Sequence, residues 1–437
     1  MLGARASLPA VVALALAACR ATEGASDSAG VPVHGSLVSR YQGRWTSGAH
    51  DNDLTEVLSV EVGDAKKDPV TGYVLAEGLA DLDGHGSSTF HSLADTYDSA
   101  VTARLYEAHA DLHVSRTLET LRVGRQSIVE TPEIAYFDGA RAETVDLGEA
   151  RIRVGAFGGV PVKLYASSTA GDSMFGTFAQ ARPWTGGRLR ADWMHVEDEG
   201  SFGPRQDDLL GIGASQNFGS NLRIEAQHTR LESESRDLRL RASYAAKDSD
   251  LVLQASWYRL MQTQKDFTVP FDPFYSTLYD LFPYAQVGFL ASKSLGKHVE
   301  LQTGADLRRV SNDDDIGEFN RDFNRFFATT GIRGVLPAEL DLSLTGEIWD
   351  SQESDFSTYG ADLARAFGAA VDASIGTYYS LYKYDLFQNR EIDDVRTWYL
   401  KVEWKRATST TFDFRYEYED DSSDEYHSLR LGMTWRF

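Results

Sequence analysis

Along most of the chain, apolar and polar residues alternate one by one in short runs. The last run is the clearest: Leu429, Leu431, Met433, Trp435 and Phe437 interleave with Ser428, Arg430, Gly432, Thr434 and Arg436. Phe412, Phe414, Tyr416 and Tyr418 interleave in the same way with Thr411, Asp413, Arg415 and Glu417. Trp398, Leu400, Val402 and Trp404 do so with Thr397, Tyr399, Lys401 and Glu403, and Val299, Leu301, Thr303, Ala305 and Leu307 with Glu300, Gln302, Gly304, Asp306 and Arg308. A period of two puts each set on one face of a β-strand. A strand with one apolar and one charged face needs an apolar medium on one side and water on the other.

Counted from Leu37, the alternating segments number about 22, with 18 or 20 inside the boundary error of about 2–4 residues per element. Every second connection is a tight turn: 147–150, 218–221, 247–250, 295–298, 336–339, 365–368 and 406–409. The intervening connections tend to be longer and more polar, as at 83–100, 158–171, 261–282 and 310–321. Short turns at one rim and longer loops at the other mark an outer-membrane barrel. The expected fold is therefore all-β, a transmembrane antiparallel up-and-down β-barrel over residues 36–437. A soluble β-sandwich or propeller also alternates, but neither calls for this loop rhythm. An even strand number returns Phe437 to the side on which the chain starts, and a last strand ending in Trp435 and Phe437 resembles the signal read by the barrel assembly machinery.

The N-terminus points to export. Arg5 precedes an apolar run from Leu8 to Ala18, too short to span a bilayer but right for a signal-peptide core. The run ends in Leu16-Ala17-Ala18-Cys19, which resembles a lipobox with Cys19 as the lipidated residue. Ordinary cleavage after Ala17 or Ala21 is the alternative. Residues 1–19 are thus read as signal peptide and 20–35, rich in Ser, Ala and Gly, as a flexible periplasmic tether. The location expected is the outer membrane of a Gram-negative bacterium, with its lipid and lipopolysaccharide as surroundings.

Composition changes this picture in three ways. The formal charge of −22, from 65 acidic and 43 basic residues, argues against nucleic acid as a partner. The 20 Tyr, 22 Phe and 8 Trp are enough to furnish aromatic belts at two membrane interfaces. A single cysteine excludes a disulfide framework and a cysteine-based metal site.

Candidate chemistry lies on the polar face. Arg151, Arg153, Arg188, Arg190, Arg223, Arg239 and Arg241 fall on the inward parity of the seventh, ninth, eleventh and twelfth strands, against only Asp192 and Glu225. Guanidiniums lining a narrow passage favour carboxylate or phosphate groups; an ordinary polar wall with compensating acids elsewhere is the bland alternative. A 22-stranded barrel usually carries a plug, and none is recognisable before the first strand. The aromatic loop holding Phe267, Phe271, Phe274, Tyr275 and Tyr279 could fold inward as a constriction or pack on the rim.

Leu121-Arg122-Val123-Gly124-Arg125-Gln126, followed by Phe137-Asp138-Gly139-Ala140-Arg141, resembles the alginate-export family of outer-membrane barrels. That resemblance covers about a tenth of the chain. It implies an arginine-lined channel for anionic polysaccharide, with Arg125, Asp138 and Arg141 near the conduction path, although alternation puts Arg125 on the lipid-facing parity unless a bulge intervenes. Glu107, His109, Asp111 and His113 share one face of the fourth strand and form a weak metal candidate, or a solvated wall. Asp81-Leu82-Asp83-Gly84 opens like a calcium loop, but Ser92 stands where a bidentate Glu is required. Catalytic and cofactor motifs are missing, so neither an enzyme nor a cofactor is expected. Two functions follow: a porin-like channel for an anionic small molecule or polysaccharide, or a wide sheath for a periplasmic partner such as a multihaem cytochrome.

Overall fold

The computed structural model describes residues 30–83, 90, 100–113, 117–129, 134–163, 171–200, 203–263, 282–315, 320–351, 355–385, 390–421 and 425–437. Residues 1–19, read above as a signal peptide ending at Cys19, the greater part of the stretch read as a tether, and the five aromatic residues of the 264–281 loop lie outside these residues.

The chain folds into 22 strands. They are β1 Val33–Trp45, β2 His50–Val62, β3 Val70–Asp81, β4 Val101–Leu112, β5 Leu118–Ile128, β6 Ala135–Thr144, β7 Arg153–Pro161, β8 Ser173–Ala181, β9 Gly187–Gly200, β10 Gly203–Phe218 and β11 Leu222–Leu231. The second half comprises β12 Glu234–Ala246, β13 Leu251–Leu260, β14 Tyr284–Leu295, β15 Val299–Val310, β16 Phe323–Ile332, β17 Asp341–Ser351, β18 Phe356–Phe367, β19 Val371–Asp385, β20 Arg390–Ala407, β21 Thr410–Asp420 and β22 Glu425–Arg436. Each strand pairs antiparallel with its neighbour in the chain, for example β1 with β2, β10 with β11 and β21 with β22. The ring closes where β1 pairs with β22, from Ser36 opposite Arg436 to Trp45 opposite His427. Phe437 completes the seam. Its backbone exchanges two hydrogen bonds with Gly35, at 3.0 and 3.1 Å. Its ring occupies the space a side chain at position 35 would need, so only glycine fits there. Closure satisfies every edge, which an open sheet in lipid could not do.

The strand number and the positions of the seven tight turns match the reading of the alternation. The first strand begins at Val33, slightly before the expected boundary at 36, because Val33 and His34 extend the ladder with Val62 and Glu61. Both chain ends of the barrel lie at the rim that carries the tight turns. The opposite rim carries the long connections after β3, β7, β13 and β15, but six connections there are also short, after β1, β9, β11, β17, β19 and β21.

Register carries the alternation around the whole ring. Outward positions keep their large apolar side chains exposed: Ile212, Phe289, Ile348, Ile375, Leu400 and Leu431 are each at least 38% accessible. Such a surface suits hydrocarbon and not water. Aromatic residues frame it. Trp398, Tyr418, His427 and Trp45 form one cross-strand row, with the rings of Trp45 and His427 stacked 5.2 Å apart. Trp404 stacks on Phe412 at 5.4 Å nearer the tight-turn rim, where Trp435 also packs on Phe437 at 4.9 Å. Between these rows, Leu400 and Val402 of β20 face outward over about 20 Å of strand.

Inward, one sector differs from the rest. Ile128, Phe137, Phe157, Met174, Phe178, Met194, Val196, Leu209 and Leu231 form a single buried apolar cluster on β5 to β11. Most of its members sit in the half of their strands toward the long-loop rim. The inward positions of the same sector toward the tight-turn rim are polar and open.

Candidate functional site

The arginines expected on one wall do converge. Arg188 and Arg190 of β9, Arg223 of β11, and Arg239 and Arg241 of β12 line one pocket, together with Asp192, Glu225 and Gln227. The ladder explains why. Arg190 stands opposite Gly213, Gly213 opposite Gln227, and Gln227 opposite Arg239. In the next row Arg188, Ser215, Glu225 and Arg241 succeed one another in the same way. Strand β10 contributes only Gly213 and Ser215 to this stretch, so long guanidiniums on either side share the space above it.

Five guanidiniums here meet two carboxylates. Arg190 donates to Asp192 at 2.9 Å, and Arg223 donates to Glu225 at 3.0 Å. Arg188 donates instead to the side-chain carbonyl of Gln180 at 2.6 Å, and Arg239 lies over the Tyr258 ring at 5.3 Å. Among the described residues, Arg239 and Arg241 have no carboxylate partner. Each committed arginine is therefore neutralised locally, and the excess positive charge sits on Arg188, Arg239 and Arg241.

Arg151 and Arg153 behave differently from the expectation. Arg151 is not on β7; it occupies the preceding turn with φ of 46°, a left-handed conformation. From there it lines a second pocket at the tight-turn rim with Arg182, Arg188 and Arg223. Arg182, in the connection 182–186, is a member of the basic group that the strand pattern could not single out, because turn residues have no parity. Arg153 is drawn away. It bonds Glu119 at 3.0 Å, Glu143 at 3.2 Å and Asp146 at 3.3 Å, so three acids from β5, β6 and the next turn surround it.

Arg125 and Asp138 form a bidentate pair across β5 and β6, at 2.8 and 2.7 Å, and Arg125 also donates to the Leu105 carbonyl at 3.1 Å. In the ladder they share a row with Ala108 and Val160. Gly124, immediately before Arg125, has φ of +125°, yet the ladder runs through it without a register shift. Arg125 keeps the parity of Val123 and Asp138 lies in the row of Val160, both exposed on the outer face. The bulge that would turn this pair toward a conduction path is therefore not formed. A Cβ at position 124 would run into the Ala108 carbonyl, so the close approach of β4 also demands glycine. Arg141 bonds Glu143 at 2.8 Å and lies over Phe178 at 5.2 Å. Arg125 and Arg141 are thus each committed to an acid.

On β4, His109 stands between Glu107 at 3.4 Å and Asp111 at 3.5 Å. Arg122 grips Asp111 with two bonds of 2.7 and 2.9 Å, and His113 turns away to Thr71 at 3.1 Å. A guanidinium occupying the best carboxylate and a histidine bonded elsewhere leave an ion-pair network in place of the tetrahedral donor set that a zinc site needs. Asp81 and Asp83 approach Asp51 within 4.8 Å, but Arg44 already neutralises Asp51 and lies 3.1 Å from Asp53.

No family model matches the chain, and no curated protein matches it by sequence. Solved structures do resemble it. Acinetobacter baumannii OccAB3 gives a TM-score of 0.44 at 11% identity, over 94% of this chain and 100% of that one. Pseudomonas aeruginosa OccK8 (OprE) gives 0.47 at 11% identity, over 93% and 98%. Pseudomonas aeruginosa OpdK with vanillate gives 0.43 at 11% identity, again over 93% and 98%. The fold stands on the strand pairing itself, a closed antiparallel ring of 22.

Proposed function

We propose that the protein is an outer-membrane channel of porin type that passes anionic solutes. The observation that carries this reading is the group of five guanidiniums facing two carboxylates on the inward face of a closed barrel. A barrel whose outer face suits lipid and whose inner face is charged serves to let polar matter cross a membrane. The sign of the excess charge selects what crosses. Salt screens such a field beyond about 8–10 Å at 0.1–0.15 M, so its influence is confined to the sector the arginines line. Arg188, Arg239 and Arg241 supply that field, and their planar forks match carboxylate and phosphate geometry. An anionic polysaccharide, as the alginate-export resemblance implies, would present many such groups in sequence.

Reversal potentials across planar bilayers in a salt gradient test this. Anion preference near 0.1 M salt, fading toward 1 M, is the expected result. Replacing Arg188, Arg239 and Arg241 with Gln should reduce or reverse the preference while the barrel stays folded. Cation selectivity of the unaltered protein at low salt would overturn the reading. An absence of conductance would favour the sheath, a barrel whose bore a partner fills.

A further inference from the structure

Half the ring away from this wall, at the closure seam, a second set of cations faces inward. Lys401 of β20 is the direct cross-strand partner of Arg415 of β21, and Arg415 that of Arg430 of β22. Their chain neighbours Leu400 and Leu431 are exposed on the outer face, so the cationic row points into the bore. Arg40 of β1 stands opposite Gly432, one diagonal step from Arg430. Side chains directly opposite in a ladder lie about 4.5–5.5 Å apart at Cβ, and like charges there repel. Three cations in direct succession are therefore costly unless counter-charge is supplied.

The local acids supply only part of it. Arg415 is paired with Glu417, its neighbour two residues along the strand. Asp413 fills the space above Gly432. Lys401 lies over the Tyr399 ring, 4.1 Å from its centre, a contact that leaves its charge unneutralised. Among the described residues, Arg40 and Arg430 form no ion pair, and the Nε atoms of Arg415 and Arg430 are buried without a hydrogen-bond acceptor. Buried donors without acceptors are rare and each calls for a partner. As on the first wall, guanidiniums committed to an acid stand beside cations that are not.

We infer that Lys401, Arg415, Arg430 and Arg40 form a second anion-binding site, on the wall opposite the first, for an oxyanion carrying more than one negative charge. A monovalent ion would neutralise one member of the row and leave the repulsion of the others. A carboxylate- or phosphate-bearing solute with two or more charges can accept from two or three of the forks at once. The site rests on the channel reading only in that the bore must be open to solutes; it does not require net conduction. An anion crossing the barrel then meets positive charge on both sides of its path.

The test uses the full barrel folded in detergent, with inorganic pyrophosphate as probe and isothermal titration calorimetry as readout. Two classes of site are expected. K401Q/R415Q/R430Q should weaken one of them by about tenfold or more, a loss of about 1.4 kcal/mol, while R239Q/R241Q weakens the other. Arg430→Lys should restore part of the affinity that Arg430→Gln removes, since charge is kept and the fork is lost. Without pyrophosphate at low salt, Arg430→Gln should raise the thermal unfolding temperature, because it relieves a repulsion. A single class of site, or unchanged pyrophosphate affinity in a folded K401Q/R415Q/R430Q barrel, would overturn the proposal. Binding that persists in a barrel showing no conductance would leave this site standing and remove the channel reading instead.

Discussion

On β20 the outward residues Trp398, Leu400, Val402 and Trp404 all meet the same apolar surroundings, whereas the inward residues between them each meet something different. Tyr399 bonds Asp362 of β18, two strands away, at 2.9 Å. Lys401 faces Arg415 across the ladder. Glu403 pairs with Lys405 at 2.9 Å on its own strand. The outward face is governed by a medium and the inward face by individual partners. A medium acts on every position alike, so a substitution outside has a cost that follows from polarity and depth. Inside, the cost depends on which other strands reach the position.

The largest effect should come from breaking the outer rule. Leu400 lies between the two aromatic rows. Replacing it with Arg should destabilise the barrel by about 2–4 kcal/mol, the cost of a cation near the bilayer midplane. Equilibrium unfolding in lipid vesicles measures this. A loss near zero would mean that this face is covered by protein and not by lipid.

A smaller effect sharpens the inner rule by comparing two arginines that alternation treats as equals. Arg153 is held by Glu119, Glu143 and Asp146, whereas Arg241 has no acid partner among the described residues. These contacts are partly exposed, so Arg153→Gln should cost no more than about 1 kcal/mol. Arg241→Gln should stay within about 0.5 kcal/mol, as unpaired solvated positions do. Both are read by the same unfolding assay. Equal losses at the two positions would show that the cross-strand acids contribute nothing.

This contrast also explains how much was legible from sequence. The ring of 22, its tight turns and its outward face follow from period-two alternation, because each outward residue reports the same medium. The seven arginines were found by the same parity, and five of them do meet. Parity could not show that Arg153 is neutralised, since Glu119, Glu143 and Asp146 come from other segments whose register alternation does not fix. Nor could it show the seam site. Lys401, Arg415 and Arg430 each sit on an ordinary alternating strand, and only the register of β20, β21 and β22 sets them opposite one another. Arg182 lies in a turn, where there is no alternation to read. The long polar connection that opens at Asp83 likewise has no parity to read, yet Asp83 is tied back to the barrel.

Asp83 offers the smallest and most local test, because it lies just beyond β3 and holds the rim without facing either lipid or the arginine walls. Its carboxylate accepts from the Asn52 backbone N–H at 2.9 Å and from the Asn52 side-chain amide at 2.7 Å, and His50 stands 3.6 Å away. Partial burial pushes the carboxyl upward, but the two Asn52 bonds and the nearby imidazole outweigh it, and the net shift is downward from the ordinary 3.8. A lowered value means that the ionised form is favoured by folding. The stabilisation is then complete above the unfolded-state value and disappears as pH falls through the lower folded value. Asn52 belongs to β2, so protonation should loosen the β2–β3 rim alone. Hydrogen exchange of the Asn52 amide, corrected for its intrinsic pH dependence, should lose protection below about pH 4. Asp83→Asn keeps the shape and removes the titration, so exchange in that variant should be faster at neutral pH and independent of pH across the same window. Global unfolding should change by less than about 0.5 kcal/mol. Protection in the unaltered protein that persists to the lowest pH, or a pH response that survives in Asp83→Asn, would assign the rim contact to the neighbouring Asp51 and Asp81 in place of Asp83.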